Sequence, residues 1–123
     1  MKLLKGMKFA YMNNKDNQLV YHINKHYNEL TEELNLIKTF EEFSSNKIIK
    51  KAIILDLIQI GENVNKLSIG FQKNINKMNL KGIIGFRNHL VHGYGTIDDK
   101  IVWETIKNYL PNLISEINNI NLD

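Results

Sequence analysis

A chain of 123 residues allows one domain around a single hydrophobic core, and 43% hydrophobic with 24% charged residues is the balance of a soluble globular protein. Cysteine is absent, which excludes disulfides, thiolate metal sites and a cysteine nucleophile, and fits a reducing compartment. A net charge of +3 permits a polyanionic partner without demanding one.

The opening run M-K-L-L-K-G-M-K-F-A-Y-M is broken by lysines and lacks the apolar stretch of a signal peptide. No apolar run approaches the roughly 18 residues that span a membrane. The expectation is a cytoplasmic protein without a membrane partner, with residues 1–15 as an N-terminal extension and 16–123 as one domain.

From about Asn17 to Phe40, the residues Leu19, Ile23, Tyr27, Leu30, Leu34 and Ile37 recur at three- and four-residue steps. That spacing predicts a long amphipathic helix. His22 and His26 lie four apart on it, a spacing that can bind zinc, with Glu29 and Glu33 further along. No third ligand is pinned down by the sequence, so a solvated or capping role is the simpler reading and no metal is expected. Glu41 to Asn46 contains Ser44, Ser45 and Asn46 and reads as a loop with cap formers.

A second long helix is predicted from about Lys47 to Ser68. Ile49, Ile53, Leu57, Ile60, Val64 and Leu67 form its inner face, while Ile48, Ala52, Leu55 and Ile58 widen the apolar arc. So wide an arc implies contact on two sides, within the fold or with a partner subunit. Gly70 to Lys77 is weaker, a short turn or a loop. Asn79 could cap a third helix from Leu80 to His92, with Gly93 placed to end it. Thr96 and Asp99 have the spacing of a capping-box variant for a fourth helix with Val102, Trp103 and Ile106 inward. Pro111 suits the first turn of a last helix bearing Leu113, Ile114 and Ile117. The sum is an all-α antiparallel bundle of four to five helices.

The cationic residues are 15 lysines and one arginine, Arg87. Only arginine offers a planar, permanently charged fork suited to phosphate, although a buried ion pair is the plainer use of one. On a wheel of about 100° per residue, Ile83, Phe86 and Leu90 fall together as a core face. Arg87, Asn88, Val91 and His92 fall on a separate arc with Ile84, a mixture typical of a cleft wall or subunit interface. His92 can give or take a proton, Arg87 can stabilise a phosphorane, and Asn88 can orient the imidazole or donate to phosphate. RNA suits so spare a set, because its 2′-hydroxyl supplies the nucleophile and DNA is refused. One histidine and one arginine make an incomplete pair, so a homodimer presenting two copies is part of the expectation. Spacing alone also allows an ordinary helix end, with Tyr94 packed back on it.

The stretches A-I-I-L-D-L-I-Q-I-G-E-N-V-N-K-L (52–67), G-F-R-N-H-L-V-H-G-Y (85–94) and I-V-W-E-T-I-K-N-Y-L-P-N-L (101–113) change this balance. Through them the chain, from about Asn17 to Ile120, resembles the HepT family of minimal HEPN-domain toxins. The resemblance implies a HEPN-like bundle that is homodimeric, with Arg87 and His92 as the catalytic pair of a metal-independent endoribonuclease. Asn88 matches the polar residue after the arginine. Tyr94 matches the tyrosine adenylylated by a partner antitoxin, the MntA nucleotidyltransferase, in type VII-like toxin–antitoxin systems. The run G-T-I-D after Tyr94 departs from the aromatic often found there, which bears on loop contacts to substrate or antitoxin. No cofactor is implied.

Two further residues are candidates for support. Glu62, next to Gly61, either pairs with Arg87 or forms an exposed ion pair with Lys66 one turn on. His89 lies at the margin of the active face. The alternative to an enzyme is a non-catalytic nucleotide- or substrate-binding subunit of a minimal nucleotidyltransferase.

Overall fold

A computed structural model describes the backbone of residues 2–120 and the side chains of residues 15–93 and 95–120. The side chains of the expected extension therefore lie almost wholly outside the described residues, as does that of Tyr94. The fold is an all-α bundle, with helices α1 (Lys2–Leu34), α2 (Phe40–Ser45), α3 (Lys47–Lys66), α4 (Ile69–Gln72), α5 (Lys77–His92), α6 (Asp99–Glu104) and α7 (Leu110–Asn118). A 3₁₀ turn, Tyr94–Thr96, follows α5, and a π-helical turn, Thr105–Tyr109, joins α6 to α7. Helix α3 packs between α1 and α5. No helix among the described residues is long and apolar enough to cross a membrane.

Periodicity located the core well. Ile23, Leu30, Ile53, Leu57, Ile60, Val64, Ile83, Leu90, Val102 and Leu113 are all fully buried. Each such aliphatic side chain contributes about 1.5–3 kcal/mol relative to exposure. Trp103 sits at the core margin, 5.3 Å from the Phe43 ring centre and 6.3 Å from that of Phe40.

The helix ends differ from the sequence expectation, some through local turns and some through side chains distant in sequence. Helix α1 stops at Leu34 rather than near Phe40, and the Ile37 amide bonds back to the Leu34 carbonyl at 3.1 Å. Ile37 is buried through that turn rather than by helical register. Residues 40–45 are then helical, not a loop. The Thr39 side chain accepts from the Glu42 amide at 3.1 Å, and Glu42 accepts from the Lys38 amide at 2.6 Å. This T-x-x-E arrangement is a capping-box variant that starts α2 and seats Phe43.

Helix α3 starts as expected, with the Asn46 side chain accepting from the Ile49 amide at 3.1 Å. It ends at Lys66, because Ser68 is recruited as the cap of α4 and accepts from the Phe71 amide at 3.2 Å. Asp16 of α1, itself buried, holds Ser68 by accepting from its amide at 2.8 Å and its hydroxyl at 2.6 Å. Asn76, not Asn79, caps α5 by accepting from the Met78 and Asn79 amides. Glu116 of α7 decides this, accepting from the Asn76 amide at 2.9 Å and the Asn79 side chain at 3.1 Å.

Gly93 ends α5 without left-handed geometry, at φ −125°. Space is tight there: a Cβ would meet the His89 carbonyl at 3.1 Å and the Thr96 hydroxyl at 3.2 Å. Asp98, rather than Thr96, caps α6 by accepting from the Lys100 amide at 2.9 Å. The last helix does begin beside Pro111. Proline has no amide to give to the preceding turn, and the chain there adopts the wider π spacing, with the Leu110 amide bonded to Thr105.

Candidate functional site

The site starts from the approach of α5 to α3. Gly61 is buried where the two helices meet, and a Cβ there would lie 2.5 Å from Arg87 Cβ. The missing side chain lets the stem of Arg87 lie across α3 and brings its guanidinium to Glu62. Arg87 Nη2 donates to Glu62 Oε1, and Nη1 donates to Asn88 Oδ1 at 2.6 Å. The hydrogen bond and charge of Arg87 hold the Glu62 carboxyl below its ordinary value, with Lys66 adding only a smaller electrostatic effect. Of the two pairings open to Glu62, the one with Arg87 is the one formed.

Arg87 is 23% exposed, and its Nε–H is buried without an acceptor among the described residues. A guanidinium carries five N–H groups, so two on the terminal nitrogens remain for a further acceptor. Asn88 and His92 are exposed on the same helix, and Val91 between them is 42% exposed. His92 is the last residue of α5 and lies at the solvent side of this face. His89 is also exposed, and its carbonyl accepts the closing Gly93 amide at 2.8 Å. Thus the structure brings Glu62, Arg87 and Asn88 into one bonded group. It places His92 nearby on the helix without a hydrogen bond to that group, and it places the Tyr94 backbone at the start of the following turn.

An apolar surface leads to this group. Ile48, Leu55 and Glu62 are spaced by seven residues and so lie along one stripe of α3. Ile48 is 82% and Leu55 59% exposed. The wide apolar arc read from the sequence is therefore only half used within one chain.

A cleft of about 370 Å³ lies beside the turn after Tyr94, lined by Lys47, Lys50 and Lys51 of α3 with Gly95, Ile97 and Asp99. Lys50 Nζ binds Asp99 at 3.0 Å and the Ser44 carbonyl at 3.2 Å, while the Ser44 hydroxyl donates to Asp99 at 2.8 Å. Burial pushes the Asp99 carboxyl up, but the bonds from Lys50 and Ser44 and the Lys50 charge prevail and hold it below its ordinary value. The triad pins α2, α3 and α6 around the motif's loop. Sequence reading missed it, since its members are 55 residues apart at the widest. Its one local signal was an acid beside the Asp98 cap.

A second group, of which sequence reading named His26 and Glu29 but not Asp56, lies where α1 packs on α3, with His26 Nδ1 3.0 Å from Asp56 Oδ1 and 3.7 Å from Glu29 Oε2. His22, the other half of the spaced pair, is exposed and stacks edge-on with Tyr21. The signal available for Asp56 was that it is the only charged residue between Lys51 and Glu62, in a run apolar apart from Gln59 and Gly61.

Comparison with known proteins places the chain in a family. The profile of the family described as "Ribonuclease HepT-like" matches residues 23–120. A Methanocaldococcus jannaschii protein named as a candidate RNase is 38% identical over 67% of this chain and 68% of its own length. Another, from Caldanaerobacter subterraneus subsp. tengcongensis, is 33% identical over 67% of this chain and 73% of its own. A Thermococcus cleftensis protein named probable ribonuclease HepT is 29% identical over 69% and 77% of the two chains. No solved structure matches significantly. Both the matched span, which takes in α3, the Arg87–Tyr94 motif and α7, and the level of identity lead to one conclusion: this chain belongs to the HepT-like ribonuclease family.

Proposed function

We propose that the chain is a metal-independent endoribonuclease toxin whose active site is formed by two copies of the Arg87–His92 face across a homodimer. The observation that carries this reading is the state of Arg87. The chain's one arginine is oriented by Glu62 and Asn88 on an exposed, partly apolar helix face that ends in His92.

The chemistry follows from the groups. The 2′-oxygen of RNA attacks the adjacent phosphorus, forming the O2′–P bond as the P–O5′ bond breaks. One His92 takes the 2′-proton, and the second copy protonates the leaving 5′-oxygen. Arg87, its plane fixed by Glu62 and Asn88, offers its remaining terminal N–H groups to the phosphorane oxygens. The products are a 2′,3′-cyclic phosphate and a 5′-hydroxyl, and DNA is not cut. The lysines of the neighbouring cleft suit the path of the RNA backbone.

Regulation belongs to the same reading. An MntA-like nucleotidyltransferase antitoxin adenylylates Tyr94, placing a bulky anion two residues from His92, where it competes with RNA phosphate for Arg87. Support comes from family membership and from the position of Tyr94 at the start of the turn closing the motif.

The test is expression of wild type, Arg87→Ala and His92→Ala without antitoxin, with RNA ends mapped in the presence and absence of chelator. Wild type should leave cyclic-phosphate ends whether or not chelator is present. Each variant should lose about 10²-fold or more of the activity. Intact RNA with wild type would replace this reading with that of a non-catalytic binding subunit.

A further inference from the structure

We propose that His26, Glu29 and Asp56, with Glu33 beside them, form a divalent-cation site that clamps α1 to α3. It lies where α1 packs on α3 and does not rest on the RNA chemistry. One donor atom from each of His26, Glu29 and Asp56 lies within 4.8 Å of the others. Roughly tetrahedral zinc at about 2.0–2.2 Å from its ligands sets them some 3.3–3.6 Å apart. Two of the three observed separations, 3.0 Å (His26–Asp56) and 3.7 Å (His26–Glu29), lie close to that range, and the third is within 4.8 Å.

A simple His26–Asp56 hydrogen bond leaves too much unexplained. It uses one oxygen of Asp56, a residue only 5% exposed in a helix that is otherwise apolar there. The second oxygen, Oδ2, is buried and has no partner among the described residues, and the same is true of Glu33 Oε1. These two carboxyls adjoin each other across the α1–α3 contact. Adjoining carboxyls away from water need either a shared proton or a cation.

Imidazole with carboxylates is a donor set for zinc and neighbouring first-row divalent cations. His26, Glu29 and Glu33 follow one another along a single stripe of α1 at helical spacing, and Asp56 meets them from α3. The role assigned is structural. A cation here fixes α1 on α3, the helix that carries Gly61 and Glu62 to Arg87.

The experiment uses the full, tag-free chain stripped with chelator and then titrated with zinc chloride. Calorimetry and thermal melting are followed, with cobalt(II) visible absorption as the coordination readout. Wild type should take up one zinc per chain and melt several degrees higher with zinc. His26→Gln, Glu29→Gln and Asp56→Asn should each weaken binding at least about tenfold. Glu29 is partly exposed, so its variant reports binding even where a change at Asp56 disturbs folding. His22→Gln should bind as wild type does.

Absence of a zinc-dependent rise in wild type would overturn the site. So would equal binding by Glu29→Gln and wild type, or loss of binding on changing His22. An Asp56→Asn chain more stable than a zinc-indifferent wild type would assign the cluster to a shared proton instead.

Discussion

Gly61 and Arg87 meet so closely where α3 crosses α5 that a methyl group on the glycine would stand 2.5 Å from Arg87 Cβ. The orientation of the arginine thus depends on the absence of one side chain in the facing helix. Gly61→Ala cannot be absorbed by a flexible side-chain tip, because the obstacle is the root of Arg87, so α5 itself must shift. Overpacking of this kind costs typically 1–3 kcal/mol. If the proposed function holds, RNA cleavage should fall by far more than the fraction unfolded. Urea denaturation and a cleavage assay on the same preparation check both, and unchanged stability and activity would show that the contact is not tight.

The stripe of Ile48 and Leu55 leads to Glu62, and Leu55 is more than half exposed. If that stripe carries the dimer, Leu55→Lys should convert dimer to monomer, since it adds a charge at the apolar centre. Cleavage should be lost while helical content is retained. Sedimentation velocity and circular dichroism separate these effects. A variant that stays dimeric would place the interface elsewhere.

The Ser44–Lys50–Asp99 triad should make part of the stability depend on acid. The folded state holds the Asp99 carboxyl below its ordinary 3.8, so the unfolded chain binds the proton more readily. The resulting stabilisation is present above about pH 3.8 and is lost as pH falls through the lower folded value. Asp99→Asn should therefore be less stable than wild type at pH 6, and the gap should narrow below pH 4. Urea unfolding across that range measures it, and a gap that widens on acidification would reverse the sign.

Asp16 should matter well beyond its own helix. Its buried carboxylate accepts both polar hydrogens of Ser68, the residue that caps α4. Asp16→Ala leaves those donors unpaired, which costs about 1–3 kcal/mol. The melting midpoint should drop, and amide exchange should quicken first around Phe71. Equal stability of the variant would mean that water replaces the carboxylate.

Much of this molecule was legible from the chain itself because the relevant signals are local. Helical periodicity placed Ile23, Leu30, Leu57, Ile83 and Leu90 in the core, the cap at Asn46 marked a real start, and Pro111 fell in the first turn of α7. The R-N-H-L-V-H-G-Y run and its companions pointed to the family. What escaped was settled by neighbours distant in sequence. Glu116 of α7 moved the cap of α5 from Asn79 to Asn76, and Asp16 of α1 held Ser68 so that α3 stopped at Lys66. The T-x-x-E box at Thr39, which makes α2 of an apparent loop, is by contrast a local signal that was overlooked.

The same division runs through the site. The sequence by itself determined that one arginine and one histidine share a helix face, since their spacing on α5 follows from 3.6 residues per turn. It left Glu62 suspended between Lys66, one turn away, and Arg87, which is 25 residues away. Only the tertiary structure decided for Arg87. The choice depends on how closely α3 and α5 approach, and that distance is set by the packing at Gly61 rather than by any local preference of the chain.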